Sequence, residues 1–196
     1  MLGDRKVTVA VTPHGYADAV HEGVFARPHE ERKTLREFFH DLHRSPEVNY
    51  VQLQNSNLTM ESEFACLLGD VEAEFAFVSE AVGAPPDAVN IWIGNHLSTS
   101  WVHKDPYENL YTVISGEKHF TLYPPCDYPW LYEKMYPTGQ WTRDPSTATA
   151  DNPRGFLKVV RDDPEQQVPW ISVRPSDVAC AGRSLESRPD LALPLR

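Results

Sequence analysis

Residues Trp101–Phe120 read WVHKDPYENLYTVISGEKHF, and the fold depends on how this stretch is read. Side chains alternate across a β-strand, so residues i and i+2 share a face. His103 and Asp105 then point the same way, about 7 Å apart along the strand. Lys104 turns to the other side, and Pro106 ends the strand. An imidazole and a carboxylate on one face are two corners of the two-histidine, one-carboxylate triad that holds non-haem Fe(II). Ser115-Gly116 reads as the tip of a hairpin. Pairing across that tip sets Val113 opposite Lys118. Asn109, Tyr111, Val113 and Lys118 then share one face, and His119 turns away. A lysine on the metal-side face of a half-buried sheet needs an anion, and a dicarboxylate co-substrate would supply one. Each piece alone is weak: most His-x-Asp pairs bind nothing, and a Ser-Gly-Glu-Lys tip is usually a solvated turn. Together, with the strand pattern between them, they are far more specific.

Working outward, KVTVAVT (Lys6–Thr12) alternates and reads as a strand ended by Pro13-His14-Gly15. PHEERKTLREFFHDLHRSP reads as a helix, with Leu35, Phe38, Phe39 and Leu42 at i, i+3, i+4, i+7 and Pro46 as its stop. VNYVQLQ (48–54) reads as a strand. TMESEFACLLGDVEAEFAFVSEAVG reads as a second helix with the stripe Phe64, Leu67, Leu68, Val71, Phe75 and Val78, closed by Gly83. Beyond it the texture turns to short strands: AVNIWIG (88–94), STSWVHKD, LYTVISGEKHFTLYPP, FLKVV (156–160) and VPWISV (168–173), with a loop over about residues 137–154. Two helices ahead of a run of antiparallel strands predict a mainly β chain, a jelly-roll core with an α/β lead-in. The expected divisions are 1–87 for the lead-in, 88–174 for the partial jelly-roll core and 175–196 for an aperiodic, disordered tail.

The 196 residues suit one domain with a real core. Eighteen basic and 28 acidic residues give a net charge of −10. That disfavours a sequence-independent nucleic-acid binder and an anionic membrane surface, and it suits basic peptide partners. Cys66, Cys126 and Cys180 are too few and too scattered for a disulfide framework or a zinc site. The opening MLGDRKVTVAVTPHG has no signal-peptide apolar region. No apolar run approaches the ~20 residues of a membrane span. A cytoplasmic or nuclear location is expected, and Asn57-Leu58-Thr59 is then a glycosylation pattern by coincidence.

HKDPYENLYTVISGEKHFTLYPP, with NYVQLQNSNL and DAVNIWIG upstream, resembles the JmjC-domain 2-oxoglutarate oxygenases, a cupin-like family with a double-stranded β-helix. The resemblance runs from about Lys6 to Trp170. It implies that His103 and Asp105 ligate Fe(II). It implies that Lys118 pairs with the distal carboxylate of 2-oxoglutarate and that the Tyr50 phenol donates to the same group. Ser100 stands where the family often has a threonine hydroxyl against the co-substrate, and Asn109 and Tyr111 line the pocket. No catalytic residue is implied beyond the metal ligands. With O₂, such enzymes couple decarboxylation of 2-oxoglutarate to hydroxylation of a C–H bond. The implied target is a lysine in a developmentally regulated GTP-binding protein or in a basic histone tail, with a peptidase activity as a further expectation. The family's third ligand is a second histidine on a late strand. The last of the eight histidines here is His119, and the resemblance fades after VPWISV. The expectation is a chain with its distal strands removed. Its alternatives are a catalytically inactive JmjC-fold binding module and a cupin that holds another divalent metal.

Overall fold

The structure is a computed structural model that describes residues 2–54, 56–72 and 74–173; the expected tail at 175–196 lies outside the described residues. Strand β1 (Lys6–Thr12) forms where the alternation predicts it. Val7, Val9 and Val11 point into the core and are fully buried. After β1 the chain makes three short strands with no counterpart in the sequence reading: β2 (Tyr16–Ala17), β3 (Ala19–His21) and β4 (Val24–Arg27). They are too short for periodicity to register.

The first predicted helix is half strand. β5 (His29–Thr34) pairs antiparallel with β1 from Lys6↔Thr34 to Val11↔His29. A free edge of β1 offers those residues a complete ladder, and tertiary pairing overrides their helical propensity. Helix α1 (Leu35–Arg44) begins only where its N-terminal signal stands. Thr34 caps the Glu37 amide while Glu37 reaches back to the Thr34 amide, a capping box. Leu35, Phe38 and Leu42 are buried as expected, but Phe39 is half exposed, at the edge of the stripe. β6 (Val48–Tyr50) closes a three-stranded sheet ordered β5-β1-β6. Phe38 packs with the three β1 valines, Val51, Leu58 and Phe64 in the main core.

The second predicted helix is also broken. A 3₁₀ turn covers Ala65–Leu67, and α2 spans only Ala76–Val82. Gly69-Asp70 interrupts the run with a turn, where glycine weakens a helix and aspartate competes with its backbone. Leu67, Leu68 and Val71 still pack on the core, while Phe75 is about one-third exposed. Gly83 ends α2 in the left-handed conformation.

The predicted loop around 137–154 overlaps the longest strand. β8 (Glu133–Asp144) follows β7 (Thr99–Ser100) and a 3₁₀ turn over Pro125–Leu131. It pairs with β10 (Gln167–Ile171) through its first half, with β9 (Phe156–Arg161) through its second, and parallel with β4 on its other edge. Pro137 and Gly139 argue for a loop locally, but partners on both edges outweigh them. Phe25 on β4 faces Thr138 on β8, so this sheet joins an early strand to the late ones.

The expected hairpin about Ser115-Gly116 is a correction. Gly116 takes a positive φ of 79°, yet residues 101–124 form no strand ladder, and AVNIWIG contributes only the bridge Val51↔Ile93. Val113, Ile114, Phe120 and Leu122 are all exposed. Strand alternation needs a layer to bury its apolar face, and an unsupported two-stranded hairpin is marginal. Among the described residues, strands nonetheless far outnumber helices, as expected of a jelly-roll chain. None of their helices is long and apolar enough to cross a membrane.

Candidate metal and co-substrate site

His103 lies three residues beyond the end of β7. This two-residue strand lies parallel to β2, with Tyr16↔Thr99 and Ala17↔Ser100 in register. The approach is close. Gly15 stands at φ 86°, and a Cβ there would lie 1.9 Å from the Leu97 carbonyl oxygen, so only glycine fits. Trp101 is buried, sits edge-on to Tyr16 at 5.1 Å, and donates its indole N–H to the Ile171 carbonyl at 2.8 Å. The Trp101 carbonyl in turn accepts from His103 Nδ1 at 2.6 Å. A carbonyl only accepts, so Nδ1 carries the proton and Nε2 presents its lone pair. That nitrogen lies 3.7 Å from Asp105 Oδ1. A backbone carbonyl on the far nitrogen is the usual support for a metal-binding imidazole. The Trp170 ring lies parallel to the imidazole, with centroids 6.5 Å apart.

Tyr50 comes from β6, and its ring is buried. Gly94 makes room for it, because a Cβ there would meet Tyr50 Cδ2 at 2.8 Å. Lys118 Nζ donates to the Tyr50 hydroxyl at 3.3 Å and stands 5.6 Å from the ring centroid. Tyr111 packs between Trp92 (5.5 Å) and Phe120 (5.0 Å). Burial, with the nearby Tyr50 adding to it, raises the Tyr111 phenol above its ordinary value.

The chain thus brings His103 to Asp105 and Lys118 to Tyr50, with Tyr111 beside the second pair. Ser100 is exposed on β7, and Asn109 turns back to the Tyr107 carbonyl at 3.3 Å; neither joins these groups. His119 is exposed beside Glu117. Among the described residues, no three His, Cys, Asp or Glu side chains converge as a metal site.

The sequence reading missed Asp18. Its carboxylate accepts from Gln52 Nε2 at 3.0 Å, on the segment that follows the β2–β7 pairing. Burial raises its pKa, and the Gln52 hydrogen bond and the Arg27 charge oppose that less strongly. Asp18 also holds a positive φ of 54°. An isolated Asp in YADAV carries no periodic signal. Asn57, by contrast, is now accounted for. Its amide donates to the Leu53 and Ile91 carbonyls and accepts from the Ile91 amide. It is a buried brace with both amide hydrogens committed.

A family model described as a cupin-like domain matches residues 1–190. The chain is 43% identical over 179 residues to the human bifunctional peptidase and (3S)-lysyl hydroxylase JMJD7, covering 89% of this chain and 53% of that protein. It is 35% identical over its whole length to JmjC domain-containing protein E of Dictyostelium discoideum, covering 57% of that protein. It is 37% identical over 180 residues to the lysine-specific demethylase JMJ32 of Arabidopsis thaliana, covering 89% of this chain and 50% of that protein. The chain therefore spans about half the length of the curated relatives it matches.

Proposed function

The chain belongs to the cupin-like domain family, in its JmjC branch, and on that premise we propose that it works as an Fe(II)- and 2-oxoglutarate-dependent protein hydroxylase acting on lysine. The observation that carries this reading is the pairing of His103 Nε2 with Asp105 Oδ1 at 3.7 Å, with the tautomer set by the Trp101 carbonyl. One neutral imidazole nitrogen and one carboxylate oxygen on a short segment are a donor set that suits Fe(II). When bound, Fe(II) with 2-oxoglutarate and O₂ supplies the oxidising power for C–H hydroxylation, with succinate and CO₂ as by-products.

The rest falls to the chain's own side chains. Trp101 orients His103, with Trp170 alongside. Lys118 and Tyr50 present an ammonium and a hydroxyl to the distal carboxylate of 2-oxoglutarate, a charge-assisted arrangement that fixes the co-substrate's direction. Trp92, Tyr111 and Phe120 form an aromatic wall beside it. Two relatives are named for lysine chemistry, which supports lysine as the target. The net charge of −10 suits a basic peptide, whether from a GTP-binding protein or a histone tail.

The test is incubation with Fe(II), ascorbate, 2-oxoglutarate and lysine peptides. The expected result is succinate and a mass gain of one oxygen atom on lysine, both lost in Lys118→Ala. The second reading is a JmjC-fold module that holds 2-oxoglutarate without turnover. It is favoured by the two, rather than three, ligand candidates that the described residues bring together. Saturable 2-oxoglutarate binding that disappears in Lys118→Ala, with no succinate from the wild type, would select it.

A further inference from the structure

We propose that Lys104, between the two ligand candidates, is a positioning residue that clamps the His-x-Asp segment to β8 through Glu133 and Tyr128. The inference rests on the metal-binding reading of His103 and Asp105. Residues 101–124 form no strand ladder, so side chains must hold the register of His103 and Asp105. Two anchors do so, one on each side of His103. Upstream, the Trp101 indole donates to the Ile171 carbonyl at 2.8 Å. Downstream, Lys104 Nζ lies 2.8 Å from Glu133 Oε1, donates to the Tyr128 hydroxyl at 3.1 Å, and sits 4.4 Å from the centre of the Tyr128 ring. The Tyr128 hydroxyl completes the triangle by donating to Glu133.

The two anchors land on the same rung of the sheet. Ile171 on β10 and Glu133 at the start of β8 are cross-strand partners. The chain from Trp101 to Lys104 is therefore tied at both ends to one fixed pair of residues, with His103 in between. Lys104 bonds to Glu133 and Tyr128, not to His103 or Asp105, so it acts through the backbone it shares with them. A lone exposed ion pair contributes little. Here one ammonium meets a carboxylate, a hydroxyl and an aromatic face together, an arrangement with one favoured geometry.

The experiment compares the full chain with Lys104→Met, Glu133→Gln, the double variant and Lys104→Arg. Backbone ¹⁵N relaxation on the metal-free chain reads the clamp directly. In Lys104→Met, order parameters over residues 102–106 are expected to fall from about 0.85 towards 0.6, while those of β1 stay unchanged. Mn(II) affinity in the presence of 2-oxoglutarate reads the consequence. Lys104→Met and Glu133→Gln should each weaken it about threefold to fivefold at low salt. The double variant should be no worse than either single one, Lys104→Arg should recover most of the loss, and added salt should weaken the wild type more than Lys104→Met. Unchanged order parameters in Lys104→Met, or additive losses in the double variant, would overturn the clamp. A wild type that takes up no Mn(II) would defeat the hydroxylase reading instead, and the relaxation measurement would still decide the clamp.

Discussion

Lys33 and Lys118 are both lysines, yet they sit in opposite surroundings. Lys33, on β5, is buried. Its ammonium reaches Asn49 at 2.6 Å, Asp41 at 2.8 Å and Glu31 at 3.1 Å. Glu31 also takes Arg143 and Arg154, and Arg143 goes on to Glu47. This network ties β5, α1, β6 and β8 together over the core that holds Phe38. Lys118 lies on the open Trp101–Leu122 segment, and its bonded partner among the described residues is the neutral Tyr50 hydroxyl. A cation whose donors meet anions inside the fold is structural. A cation aimed at a phenol keeps donors for an incoming anion. The same residue type serves stability in one region and, on the proposed function, recognition in the other.

The sharpest way to break the contrast is to hollow out the Lys33 side of the molecule. Phe38→Ala removes a fully buried ring and should cost about 4 kcal/mol in denaturant unfolding. Next, Glu31→Gln strips Lys33 and Arg143 of a shared partner and should cost about 3 kcal/mol by the same measurement. That substitution also has a pH signature. Burial alone would raise the Glu31 carboxyl, but the Arg143 hydrogen bond and the Lys33 charge outweigh it and hold it at about 2. A depressed folded pKa gives stability that is complete above the ordinary carboxylate range and lost as pH falls towards 2. Thermal midpoints of the wild type should therefore drop across that window, and Glu31→Gln should flatten the slope. On the Lys118 side, Ile114→Ser alters a side chain 73% exposed and should move stability by less than about 0.5 kcal/mol. A larger loss there would mean that the segment is covered in solution.

Much of the framework was legible in the residues. β1 follows its alternation to the residue, and FLKVV and VPWISV become β9 and β10 with small shifts at their ends. The Leu35, Phe38 and Leu42 stripe is the buried face of α1. HEERKT reads as helix because its charges suit a solvated helical face, and only the open edge of β1 makes it a strand. Thr34-x-x-Glu37 was a readable start signal that places the boundary correctly. PTGQWTRD (137–144) contains Pro and Gly and reads as loop, although β4, β9 and β10 together make β8 the spine of the larger sheet. Asp18, Glu133 and Tyr128 could not be found from sequence. Each matters only through a partner at least five residues away, and for Asp18 the partner Gln52 is 34 residues on.

The sequence by itself determined the family, through the ordered set Tyr50, His103-x-Asp105, Asn109, Tyr111 and Gly116-x-Lys118, and it determined which faces of β1 and α1 are apolar. These are local properties of side-chain type and spacing, with periods of two and 3.6 residues. The tertiary structure alone decided that His103 Nε2 is the open nitrogen, because the opposite nitrogen is taken by a carbonyl whose own residue is pinned to β10. It also decided that Lys118 meets Tyr50 across 68 residues of chain, and that Trp101–Leu122 keeps its spacing without forming strands. Hydrogen-bond partners and covering layers are non-local, and no window of sequence contains them.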